Sequence, residues 1–139
     1  MAIATLPTTT STVQVVYTDD PDVTPRNGSR GWILRSEATL AAGADLVELR
    51  PLNADERAEA ADVDGAHRTM LSRVRMALVS VNGHTDAKHR ESFIRACPGT
   101  PLFLLGLYVG AITAGQDPQP AQRRLLAGDD DEDAAPDEE

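Results

Sequence analysis

Residues 100–115, "TPLFLLGLYVGAITAG", are the most apolar stretch of the chain, and they carry two glycines four positions apart. Such a segment folds as a membrane span, as a buried core helix, or as a surface held for a partner. A span needs about 20 apolar residues to cross a hydrocarbon layer of roughly 30 Å. Only positions 101–114 qualify here, with "PG" before them and "QDP" after, so no membrane association is expected. Thr100 is the expected N-cap and Pro101 the expected first helical residue. Gly115 provides the stop. Gly106, Gly110 and Ala114 form a small-residue ridge along which another helix can approach closely. Leu102, Leu105, Tyr108, Val109 and Ile112 form a stripe, while Phe103, Leu104, Leu107 and Ala111 cover the other faces. A helix apolar all round is buried on more than one side. Internal burial against this chain's own sheet and helices is one outcome. The other leaves part of the surface for oligomerisation or a client, because large exposed apolar patches mark interaction sites. On the second outcome the partner-binding residues are Leu102, Leu105, Gly106, Tyr108, Val109, Gly110 and Ile112.

What precedes this helix sets the fold class. The 139 residues suit one domain. Residues 1–11, Thr/Ser-rich, read as a flexible leader. "TVQVVYT" is a strand candidate with Val13, Val15 and Tyr17 on one face, and "GWILRSE" and "ADLVELRPL" are two more, the last with Leu46 or Val47 inward. Between the first two, "DDPDVTPRNGSRG" carries turn chemistry, with "NG" suited to positive φ. Trp32 reads as core or hairpin packing. After Pro51 the period changes to that of a helix. Asn53 with Glu56 makes a capping box for a short helix ending near "DG". Met70, Leu71, Val74, Ala77, Leu78 and Val81 then predict a helix from Ala66 to Val81, stopped by Asn82-Gly83. "DAKHRESFIRAC" is the next helix, with Thr85 at its start. The expected fold is therefore α+β: an antiparallel hairpin or small sheet over about 12–51, then three to four helices over about 53–115. The single domain covers 12–116, followed by a Pro-containing linker and disordered acidic tail over 117–139.

Charge and chemistry narrow the function. Residues 129–139 hold eight of the 22 acidic side chains and no basic one, leaving 14 acidic against 13 basic elsewhere. The near-neutral domain lacks a Lys/Arg cluster able to displace phosphate counterions, so no nucleic-acid partner is expected. A like-charge block such as "DDDED" is a solubilising tail, and it lacks the ligand spacing of a calcium loop. Phosphate-binding loops, nucleophile elbows and metalloprotease motifs do not occur. Cys97, the single cysteine, excludes an intrachain disulfide. It reads as a small core residue, in preference to a nucleophile paired with His67 or His89. His84, Asp86 and His89 invite a metal, but a five-residue step puts two histidines on different faces of a helix, and His84 is expected to lie in the cap. They read as solvated polar groups, with no metal, cofactor or catalytic residue expected. "MAIATLPTTTSTVQ" lacks the basic and apolar regions of a signal peptide, so a cytoplasmic protein is expected.

The phrases "VELRPLNADERAEA", "ALVSVNG" and "ESFIRACPGTPLFLLGLYVGAI", spanning about residues 45–115, resemble the tail assembly chaperones of long-tailed bacteriophages and related particles. Shared with that family are a strand-to-helix step with Arg-Pro-Leu followed by Glu, a "V-x-G" helix end and a Leu-rich helix after a proline break. The resemblance implies a non-enzymatic protein of the host cytoplasm. It would bind the apolar, helical tape-measure protein and keep it soluble until tail tube protein polymerises around it, with the acidic tail as a solubilising or tube-recruiting extension. Many members are made in two lengths by ribosomal frameshifting. The first third of the chain has no counterpart in these phrases, and the family carries no obligatory chemical residue, so the resemblance supplies a function without a site. The alternative is a small structural virion protein, a head-tail connector or tail-terminator-like subunit, assembling through helix 101–114.

Overall fold

The computed structural model describes residues 12–26 and 28–127. The expected leader at 1–11 and the acidic run at 129–139 lie outside the described residues. The fold is α+β, with antiparallel sheets followed by five helices.

Strands β1 (Val13–Tyr17), β3 (Trp32–Leu34), β5 (Val47–Leu49) and β6 (Leu78–Val81) form one sheet in the order β3-β1-β5-β6. All its pairings are antiparallel, with Tyr17 opposite Trp32, Val15 opposite Val47, and Val47 opposite Val81. Val13, Val15 and Tyr17 share the face that meets the helices, as their alternation requires. Val47 and Leu49 point the same way, which settles the register left open by sequence. Val16 faces oppositely and joins Val23, Ile33 and Ala38 in a second small cluster. That cluster is closed by β2 (Val23–Pro25) and β4 (Ala38–Leu40), which pair with each other. Neither strand is expected from sequence: β2 sits inside the turn-rich stretch, and each is only three residues long.

Helix α1 (Ala54–Ala61) starts as its sequence dictates. Asn53 Oδ1 accepts from the Glu56 N–H at 2.9 Å, and Glu56 Oε1 accepts from the Asn53 N–H at 3.0 Å. Arg50 then grips both Glu56 oxygens, at 2.8 and 2.6 Å, and holds that carboxyl below its usual range. Helix α2 (Ala66–Ala77) ends four residues earlier than periodicity implies, and Leu78–Val81 is a strand. Leu78 and Val81 continue the helical stripe, and in the strand both join the main core beside a register shift in the pairing with β5. The β-branched run and the tight turn after it decide for the strand: Asn82 (φ +53) and Gly83 (φ +86) both lie in the left-handed region, as a two-residue hairpin turn requires. Helix α3 (Ala87–Ala96) is capped by Asp86, which accepts from the His89 N–H, and not by Thr85.

Helix α4 (Gly99–Thr113) contains the apolar segment. Its N-cap is Pro98, so the expected Thr100 cap is corrected. Gly99 and Thr100 are already helical, and Pro101 falls at the third position, where a backbone N–H has no intrahelical acceptor to lose. At the other end Gly115 (φ +74) donates to Ile112 and Gln116 to Ala111. This is the paired bonding of a glycine-terminated helix. The segment read as a linker from 117 instead forms helix α5 (Gln119–Leu126), packed on α4. Pro118 and Pro120 do not break it, because both lie at its start.

Two contacts seat α4. A Cβ on Gly106 would lie 2.6 Å from Met70 Cβ and 2.8 Å from Met70 Cα, so α2 backs directly onto α4 there. One turn on, the Arg73 guanidinium occupies the space that a Gly110 side chain would need, and donates to the Gly106 carbonyl at 3.3 Å. Gly106→Ala is therefore expected to destabilise the protein by about 1–3 kcal/mol through overpacking against α2, despite alanine's better helix propensity. Gly99→Ala, with nothing within 4 Å, should be neutral or stabilising. Urea unfolding of the two variants checks the pair, and equal effects would contradict the close contact.

Candidate functional site

The seven residues expected to bind a partner do not form one exposed face. Leu105, Gly106, Tyr108 and Val109 are buried, and Leu102, Gly110 and Ile112 are half-buried. Leu105 and Val109 join Val15, Val47, Leu49 and Val74 in the main core. Burial holds the Tyr108 hydroxyl well above its usual range. The ridge of small residues serves the chain's own α2, and the all-round apolar character of the helix is met by α2, α5 and the sheet.

One candidate surface borders the buried Trp32, at the edge of the main sheet. Its indole Nε1 donates to the Pro101 carbonyl at 2.9 Å. Its ring meets Tyr17 at 5.0 Å between centroids and Phe93, edge-on, at 6.5 Å. Being on an edge strand, its N–H and C=O point away from β1. The fully buried Gln122 of α5 satisfies both: Oε1 accepts from the Trp32 N–H at 2.7 Å, and Nε2 donates to the Trp32 carbonyl at 2.9 Å. Gln119 Nε2 donates to the same carbonyl at 3.0 Å. A side-chain amide thus stands in for a missing strand. Gly31 (φ +89) permits it, because any Cβ there would collide with the Gln122 amide.

Beside Trp32 opens a groove of about 630 Å³ between the sheet edge and the α3–α4 corner. Its floor is apolar, from Tyr17, Trp32, Phe93, Pro98, Pro101 and Leu126. Asp19, Asp20 and Asp45 also line it, and among the described residues no lysine or arginine does. The Tyr17 hydroxyl is held above its usual range, first by burial and then by the nearby Asp19 charge. Nothing in the amphipathic patterns announces this groove, since its wall comes from α3, α4 and α5 together. The available signals are the isolated Trp32 and the Asp19-Asp20 pair that follows β1.

Cys97 also lines the groove. Burial pushes its thiol up to about 11, so it is protonated at neutral pH and not an activated nucleophile. No described histidine shares the groove with it. His67 lies instead edge-on to Phe103 at 4.9 Å, and His89 engages Asp86. His84 precedes the helix as expected, but the separation from His89 that helical spacing implies does not follow. His84 is not on α3 but in the turn before it, so helix geometry does not part it from His89. The two rings stack at 4.1 Å, nearly parallel.

No protein-family model, curated protein or solved structure matches the chain. Among the described residues, no helix is long and apolar enough to cross a membrane.

Leu105→Asp and Tyr108→Asp put a charge into the main core and are each expected to cost about 4 kcal/mol or more. Circular dichroism should show both variants unfolded or near it. Native spectra and stability with partner binding alone impaired would return α4 to the surface.

Proposed function

We propose that the protein is a non-enzymatic assembly chaperone of the phage-tail kind. It holds an amphipathic helical segment of the tape-measure protein in the host cytoplasm until tail tube protein assembles around that client. The observation that carries the reading is the Trp32 groove, an apolar floor lined by three aspartates and no cation among the described residues. Its charge suits a client segment that presents apolar side chains flanked by Lys or Arg. Acidic surface steers such a segment and sets its register, while the aromatic floor supplies the contact. The residues quoted for the family resemblance support the same reading, and they include the α3–α4 corner that forms one wall. A protonated, unactivated thiol in the groove fits capture without chemistry. A virion subunit assembling through α4 has less support, because the chain itself covers that helix.

Mass spectrometry of purified particles tests the role: an assembly chaperone is missing from them, and stoichiometric presence would refute it. The groove is tested by Asp19→Arg and Ala96→Arg, both at exposed positions. Each should lower client co-purification at least roughly tenfold, or about 1.4 kcal/mol, with the thermal midpoint unchanged. Undiminished co-purification would place the client elsewhere.

A further inference from the structure

We propose that His84 and His89 are the protein ligands of a surface site for a borderline divalent transition ion such as Zn²⁺, with Asp86 as the residue that orients His89. The three side chains offer ligand atoms all within 4.8 Å of one another, and all three are exposed. Backbone structure fixes where each begins. His84 closes the hairpin turn after β6, exchanging N–H···O bonds with Val81 at 2.9 and 3.0 Å. Asp86 is the N-cap of α3, and His89 is the residue whose N–H it caps. The turn and the helix start therefore hold the two imidazoles side by side without relying on long flexible side chains.

The polar contacts select the chemistry. His89 Nδ1 lies 2.8 and 2.7 Å from the two Asp86 oxygens. A neutral imidazole in that position carries its proton on Nδ1 and donates it to the carboxylate, which leaves the Nε2 lone pair free. This is the carboxylate–histidine arrangement that orients imidazole on a metal and raises its basicity. The His84 ring, 9° from parallel and 4.1 Å away, places a second set of in-plane nitrogens beside it. Tetrahedral zinc with bonds near 2.0 Å separates ligand nitrogens by about 3.3 Å. With His89 held by Asp86, the exposed His84 ring is the one that has to turn to bring the two nitrogens to that separation. Imidazole donors favour zinc, copper and nickel over calcium or magnesium, and water completes the shell.

The test is Zn²⁺ titration of the full chain followed by the histidine ring resonances in NMR. These report the site independently of cation binding by the acidic run at 129–139. His84 and His89 signals should shift and saturate at one equivalent while His67, on α2 against Phe103, stays in place. His84→Ala and His89→Ala should each abolish the response. Asp86→Asn keeps a capping acceptor, so helix content is unchanged, and it should weaken Zn²⁺ binding by about 10- to 100-fold. Ring signals unmoved by excess Zn²⁺, or binding undiminished in either alanine variant, would overturn the site. Wild-type affinity in Asp86→Asn would overturn the orienting role.

Discussion

The close approach of α2 to α4 at Gly106 is the constraint on which the rest of the structure depends. Because Met70 sits where a side chain on residue 106 would be, α4 lies deep enough for Leu104, Leu105 and Val109 to reach the sheet with no exposure. The contact also fixes Arg73. Its guanidinium fills the notch over Gly110 and bonds the Gly106 carbonyl, and burial makes that charge harder to hold. An arginine off the apolar stripe of its own helix thus becomes part of the packing between two helices, its stem covering apolar surface while its head finds a carbonyl. Thr113, at the far end of α4, accepts the Leu52 N–H and ties in the entry to α1.

Once α4 is seated, distant parts of the chain meet over it. Pro101 receives the Trp32 indole, and α5 folds back to deliver Gln122 to the Trp32 backbone, 90 residues away in sequence. Those bonds finish an otherwise open sheet edge and set one wall of the aromatic groove. The surface available to a partner is consequently a by-product of how the edge is closed. It takes in only the first turn of the apolar helix, at Thr100 and Pro101, and not its stripe.

How much of this is legible in the residues varies with how local the determinant is. The Asn53–Glu56 box, the Gly115 stop and the Val13–Val15–Tyr17 face depend on neighbours a few positions away, and all occur as their sequence implies. Leu78–Val81 continues the helical spacing of α2, and a strict strand would put Leu78 and Val81 on opposite faces; only pairing with β5, through a register shift between Glu48 and Leu49, makes it a strand. Helix α5 is hidden by prolines that look like breakers but fall at its start, and by Gln122, whose value lies in a strand edge far away. The site is least legible. The stripe on α4 is visibly apolar, but apolar character does not say which protein covers it. That His84 precedes α3 is legible, but not that the turn stacks its ring on His89.

The central claim is that α4 is the protein's own core, with the Trp32 groove beside it as the proposed binding surface. Amide hydrogen exchange on the isolated full chain tests it most directly, since core segments open only with global unfolding while interface segments open locally. The amides of Leu104 to Ile112 are predicted to exchange in the slowest class, with the same free energy as global unfolding by urea. Fast exchange there that slows only on self-association or client binding would contradict the claim.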